Sequence, residues 1–306
     1  MLRASQPNAA AGPECFNGGM DSTFPTLYIS HGSPMTALDG GAAGAFWQTL
    51  GPAFTAAFGR PKAILVMSAH SLTREPVLLG APQHAAVYDF GGFPDALYQL
   101  RYDAPGAPAL AQRVAGLLAA AGLPAHLTDE GGMDHGIWTP LRSMYPEADI
   151  PVLPLAWPPN WSPAQLFALG QALAPLADEG VLIIGSGAIT HNLRLWAGGR
   201  GAIDAPEYPE SAAFRNWFLD RSAEHDWPAL FAYRERAPHA AHMHPTDEHL
   251  LPFYLAAGAA GDPKAPALRL HGSVTWGHLG MDVYGFGANA PRLQAELDGQ
   301  SLPAAA

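Results

Sequence analysis

Four histidines stand where an apolar run gives way to the next element: His31 in LYISHGSP, His70 in AILVMSAHS, His191 in VLIIGSGAITHNL and His249 in HPTDEHLLPFY. Neutral imidazole both ligates divalent metals and moves protons near neutral pH. Three of these contexts are β-rich apolar runs ending in small residues, which is how a buried parallel strand delivers a side chain to the active edge of a sheet. The pattern predicts a metal centre.

His31 is followed by Gly32-Ser33-Pro34, a turn in which glycine admits close backbone approach and proline stops regular continuation. Ser68 and Ala69 leave room beside His70. His249 follows Pro245-Thr246-Asp247-Glu248, which reads as a helix start with Thr246 as N-cap and two acidic residues at the positive end of the dipole. In that first turn an imidazole is disfavoured as a cation, so a neutral His249 is prepared to donate a lone pair. Glu248 is the rival, since with two histidines it would complete a two-histidine, one-carboxylate facial set. Spacing leaves both choices open.

His191 follows Gly185-Ser186-Gly187-Ala188-Ile189-Thr190, which contains neither GxGxxG nor a Walker-type lysine, so nucleotide binding is not supported. Small residues ahead of an imidazole suit a substrate pressed against a general base. His135, in GGMDHGIWTPL, either contacts a substrate oxygen or caps a glycine-rich turn. His242 and His244 form an HxH pair in a loop, expected to be exposed and outside the ligand set. Arg101 and Arg194 are the candidates for clamping a substrate carboxylate.

The elements that must position these side chains are short strands and amphipathic helices. Segments 26–30, 63–69, 77–80, 150–156 and 181–187 are β-rich runs bounded by glycine, proline or asparagine. Between them, 107–122 and 162–180 carry apolar residues near a 3.6-residue period, and further helix is expected over 207–237 and from about Asp247 to Ala257. Such alternation predicts an α/β fold: a single-domain sandwich with a central, largely parallel or mixed sheet flanked by helices.

The chain has 306 residues, 48% of them apolar, enough for one substantial core. Its formal net charge of −11 repels phosphate backbones and anionic membranes, so nucleic acid is an unsuited partner. No run approaches the ~20 apolar residues of a membrane span. The single cysteine, Cys15, excludes a disulfide framework and a thiolate metal site, and points to a reducing, cytoplasmic location. Residues 1–24 have the composition of a flexible leader, leaving 25–306 as the functional domain.

Taken in order between Tyr28 and Phe286, HGSPM, SAH, YDFGGFPDALYQLRYDAPGAPALAQRV, DHGIWTPLRSMYPEADIPVLPL, GSGAITHNL and PTDEHLLPFY resemble the class III extradiol ring-cleavage dioxygenases, specifically the DOPA dioxygenase branch. The resemblance implies a mononuclear non-haem iron held by His31, His70 and His249, with His191 as acid/base and His135 near the substrate. It implies Fe(II) as the cofactor for activity; by the usual affinity order Zn(II) can occupy the same site in purified protein. Its implied partners are dioxygen and a small catechol, L-DOPA or a related catecholic acid, cleaved at the 4,5-extradiol position to seco-DOPA. The His242-Met243-His244 stretch departs from the family pattern just ahead of the third ligand. Two alternatives share the histidines: a zinc-dependent hydrolase or amidase, and a non-enzymatic zinc-binding protein of the same fold. Oxygen consumption separates them from the dioxygenase.

Overall fold

The computed structural model describes residues 23–195 and 202–299. An eight-stranded sheet runs through it, built from β1 (Thr26–Ser30), β2 (Ala63–Ser68), β3 (Val77–Leu79), β4 (His126–Thr128), β5 (Val152–Ala156), β6 (Val181–Gly187), β7 (Ala267–His271) and β8 (Val283–Phe286). Their order across the sheet is β4-β3-β5-β2-β6-β1-β8-β7. The four central strands β5, β2, β6 and β1 are mutually parallel. β3 pairs antiparallel with β5 and parallel with β4, while β8 and β7 close the other side antiparallel. Ser30 pairs with Gly187 and Ser68 with Ser186, so β1, β6 and β2 end level with one another.

Strand alternation splits the interior into two cores. Leu27, Ile29, Ile64, Val66, Leu182 and Ile184 face one side, where they meet helices α1 (Gly41–Phe58), α3 (His135–Met144) and α7 (Ala290–Gly299). Tyr28, Leu65, Met67 and Ile183 face the other, against α2 (Pro108–Ala120), α4 (Pro163–Leu173), α5 (Pro209–Ala223) and α6 (Pro252–Ala259). Strands buried on both faces explain why these runs are almost continuously apolar. Each fully buried aliphatic or aromatic side chain contributes about 1.5–3 kcal/mol through area removed from water.

The α/β sandwich with a mixed, mostly parallel sheet is therefore as the sequence predicts, and β1 and β6 coincide with their predicted runs. The helical stretches are more broken than their periodicity suggests. The 162–180 helix stops at Leu173 and resumes over Pro175–Asp178, because Pro175 has no N–H to continue the ladder. The 207–237 segment divides into α5, Trp227–Phe231 and Tyr233–Arg236, the second piece starting afresh where the Asp226 carboxylate accepts from the Ala229 N–H. Of the expected leader, residues 1–22 lie outside the described residues, and Phe24 is a core residue packed edge-on to Phe54 at 5.0 Å. Among the described residues no helix is long and apolar enough to cross a membrane.

Candidate metal centre

His31 immediately follows β1, and its N–H donates to the Gly187 carbonyl at 2.9 Å, tying it to the end of β6. The next residue, Gly32, takes φ +72°, the left-handed turn for which glycine is suited. His70 stands two residues beyond β2, its N–H donating to Ser68 Oγ at 3.2 Å while that hydroxyl donates to Asp134 Oδ1 at 2.6 Å. His249 comes from far along the chain. Its carbonyl accepts from the Ala188 N–H at 2.8 Å and from the Tyr28 hydroxyl at 3.0 Å. A Cβ at position 187 would fall 1.9 Å from that carbonyl oxygen, so only glycine lets the loop reach the strand end.

These three anchors bring the imidazoles together. Nε2 of His70 is 3.1 Å from Nε2 of His31 and 3.2 Å from Nε2 of His249. The opposite face of each ring meets an acceptor. Ser186 Oγ donates to the Gly136 carbonyl at 2.5 Å and so accepts from His31 Nδ1 at 2.9 Å. Glu248 Oε1 lies 3.2 Å from His249 Nδ1, and Asp89 Oδ2 lies 3.4 Å from His70 Nδ1. With the proton held on Nδ1, three Nε2 lone pairs converge on one point. Ligand nitrogens bonded at about 2.1 Å and set at right angles are about 3 Å apart, so the residues fit a divalent cation.

Burial acts in the same direction. It lowers the pKa of His31 and His249 well below the ordinary histidine value, and the neighbouring imidazoles reinforce the effect. Burial likewise takes His70 down to about 4 and His191 down to about 3. All four are neutral at pH 7, the form in which imidazole donates a lone pair to a metal or accepts a proton.

The cluster opens into a cavity of about 600 Å³ whose lining includes His70, His135, His191, Glu248 and His249. The His191 ring stacks on His249 at 3.5 Å between centroids, with 8° between planes. His135 lies 4.1 Å, centroid to centroid, from His70. His31, His70, His135, His191 and His249, the five histidines expected at the site, are thus brought to one place. Asp89, Phe90 and Phe93 also line the cavity, and sequence reasoning missed them. Their segment, YDFGGFP, carries no periodicity, and an aromatic-acid-aromatic triplet ahead of two glycines was the available signal.

Four expectations change. α6 begins at Pro252, not near Asp247, and residues 245–251 form turns. The Thr246 hydroxyl bonds the Glu248 carboxylate at 2.9 Å instead of capping backbone N–H groups, so burial, not a helix dipole, keeps His249 neutral. His244 is completely buried, because the short helix Ala240–Met243 turns it inward, where its Nε2 meets the Ile189 carbonyl at 2.7 Å. His242 remains exposed. Neither Arg101, which donates to the Tyr88 hydroxyl, nor the exposed Arg194 lines the cavity.

Residues 25–287 match the family described as the catalytic LigB subunit of aromatic ring-opening dioxygenase. The chain is 40% identical over 271 residues to a Beta vulgaris protein named 4,5-DOPA dioxygenase extradiol, covering 88% of this chain and 98% of the relative. An Escherichia coli K12 protein of the same name is 37% identical over 271 residues, covering 86% of this chain and 94% of the relative. The crystal structure of an uncharacterized Escherichia coli K12 protein aligns with TM-score 0.69 at 33% identity, covering 86% of this chain and 100% of that one. The chain belongs to the LigB family of class III extradiol dioxygenases, enzymes that use non-haem iron and dioxygen to open a catecholic ring.

Proposed function

We propose that this protein cleaves L-DOPA at the 4,5-extradiol position, giving seco-DOPA, with His31, His70 and His249 holding Fe(II). The observation that carries the reading is the convergence of three Nε2 atoms, each with its Nδ1 facing an acceptor, beside a ring-sized cavity that His70 and His249 line. Bound Fe(II) would supply the Lewis acidity that favours a catecholate and the redox chemistry that brings in dioxygen. Phe90 and Phe93 offer apolar walls for one aromatic ring, and 600 Å³ lies within the usual range for small-molecule sites. Support for L-DOPA itself comes from the relatives, four of which carry the name 4,5-DOPA dioxygenase extradiol.

His191, half-buried and neutral, accepts the second hydroxyl proton of the substrate and returns a proton as the ring opens. Its stacking on His249 keeps the ring beside the ligand cluster without using a nitrogen. His135 contacts a substrate oxygen from the facing wall. Zinc in a purified sample is compatible with this assignment, since such sites bind Zn(II) more tightly than Fe(II).

The test is anaerobic reconstitution with Fe(II), followed by simultaneous oxygen-electrode and visible-absorbance traces with L-DOPA, caffeate and protocatechuate. Stoichiometric oxygen uptake with a new yellow chromophore, fastest for L-DOPA, is expected. Uptake fastest with another catechol would replace the substrate. No uptake by fully iron-loaded protein would sink the assignment.

A further inference from the structure

We propose that Asp89 is the positioning residue of this site, a single carboxylate that fixes the orientation and tautomer of both His70 and His135. It lies in the loop between the short strand Gln83–His84 and the helical turn Asp95–Tyr98. Asp89 Oδ1 accepts from the His135 backbone N–H at 2.9 Å and from His135 Nδ1 at 3.0 Å. Oδ2 lies 3.0 Å from the same Nδ1 and 3.4 Å from Nδ1 of His70. One carboxylate therefore faces two imidazoles whose centroids are 4.1 Å apart.

The His135 backbone N–H can only donate, so Asp89 Oδ1 is an acceptor there whatever the ring tautomers. An ionised carboxylate has no proton to give, so a ring nitrogen facing it is favoured as N–H. His70 is left with a bare Nε2, the atom that meets His31 and His249 at 3.1 and 3.2 Å. His135 is likewise left with Nε2 as its acceptor, so toward a catechol this ring accepts a hydroxyl proton's hydrogen bond and does not donate one. Ligating histidines usually owe their tautomer to such an outer partner. Here the partner is shared between a candidate ligand and the substrate wall, so the two are set together.

Asp89→Asn separates shape from chemistry. The amide keeps the size of the carboxylate, and its oxygen can accept from His135, but its NH2 then confronts the His70 Nδ1–H as donor against donor. The probe is Co(II), titrated calorimetrically into metal-free full-length protein. The expected result is a loss of affinity of about 10–100-fold, with the thermal midpoint of the metal-free protein unchanged. In parallel, 15N spectra of histidine-labelled, metal-free wild type should report Nδ1-protonated rings at positions 70 and 135, and the variant should lose that signature at position 70. Wild-type affinity in the asparagine variant, or Nε2-protonated rings at both positions in the wild type, would overturn the proposal. Because the role presupposes His70 as a ligand, His70→Ala is the control. If His70→Ala loses Co(II) while Asp89→Asn does not, only the role of Asp89 fails. If His70→Ala binds Co(II) as the wild type does, the metal assignment fails and takes this proposal with it.

Discussion

Two buried polar clusters flank the end of β1, and they are opposites. In one, Arg215 of α5 is 6% exposed and donates through Nε and Nη2 to both oxygens of fully buried Asp282, at 2.7 and 2.9 Å, and through Nη1 to Glu207 at 2.8 Å. Burial alone would lower the Arg215 pKa, yet Asp282 and Glu207 push it up, so the guanidinium stays charged. Donors meet acceptors and charge meets countercharge within the cluster. In the other, burial keeps the histidines neutral, and with the protons held on Nδ1 their Nε2 atoms face one another at 3.1 and 3.2 Å. The first cluster is complete as folded; the second presents a donor set that fits a cation. Burial of polar groups by itself does not distinguish structure from function, but the sign of what is left unsatisfied does.

Four substitutions break or sharpen that contrast. The largest effect is expected from His249→Ala, which removes one of the convergent lone pairs. Bound metal after dialysis and oxygen uptake should both be lost while the circular dichroism spectrum persists, and retained metal would return the choice to Glu248. Next, His191→Ala should keep its metal and lose turnover by roughly 10²–10⁴-fold, measured as oxygen uptake per bound iron; near wild-type turnover would remove it from the reaction. Asp282→Ala attacks the complete cluster instead. Stranding the Arg215 charge should destabilise the fold by about 3–5 kcal/mol in urea unfolding, with metal affinity of the folded protein unchanged, and an unchanged unfolding midpoint would contradict the pairing. The smallest effect belongs to Glu248→Ala, which strips the Nδ1 partner from His249 and should weaken metal binding about tenfold. A larger loss than that of His249→Ala would make Glu248 the ligand.

The legible parts of this protein were those in which one residue type does one local thing. β1 and β6 were readable to the residue because both faces of each strand are buried, leaving unbroken apolar runs between polar or glycine boundaries. The strand ends, in turn, located His31, His70 and His191. β7 and β8 were not readable: ALRLH is only partly buried and carries Arg269 and His271, VYGF has four residues, and their pairing is interrupted by a register shift at Val283/Tyr284. His249 was found for a wrong local reason, since its neutrality comes from burial created by β1 and β6, not from the start of α6. Asp89 was invisible because its meaning lies entirely in His70 and His135, which reach it from other segments.

The pinning of the His249 carbonyl by Tyr28 also has a kinetic meaning. Those two residues are 221 positions apart, and the Ala188 N–H that shares the carbonyl belongs to a third part of the chain. Contacts of such long range are formed late, after the loops they close have been ordered by other interactions. The expected order is that His249 reaches its place only on a sheet that already exists, so that a metal would not act as a nucleus for folding. In refolding experiments metal uptake should trail the return of secondary structure, making the loaded centre a record that the chain has finished.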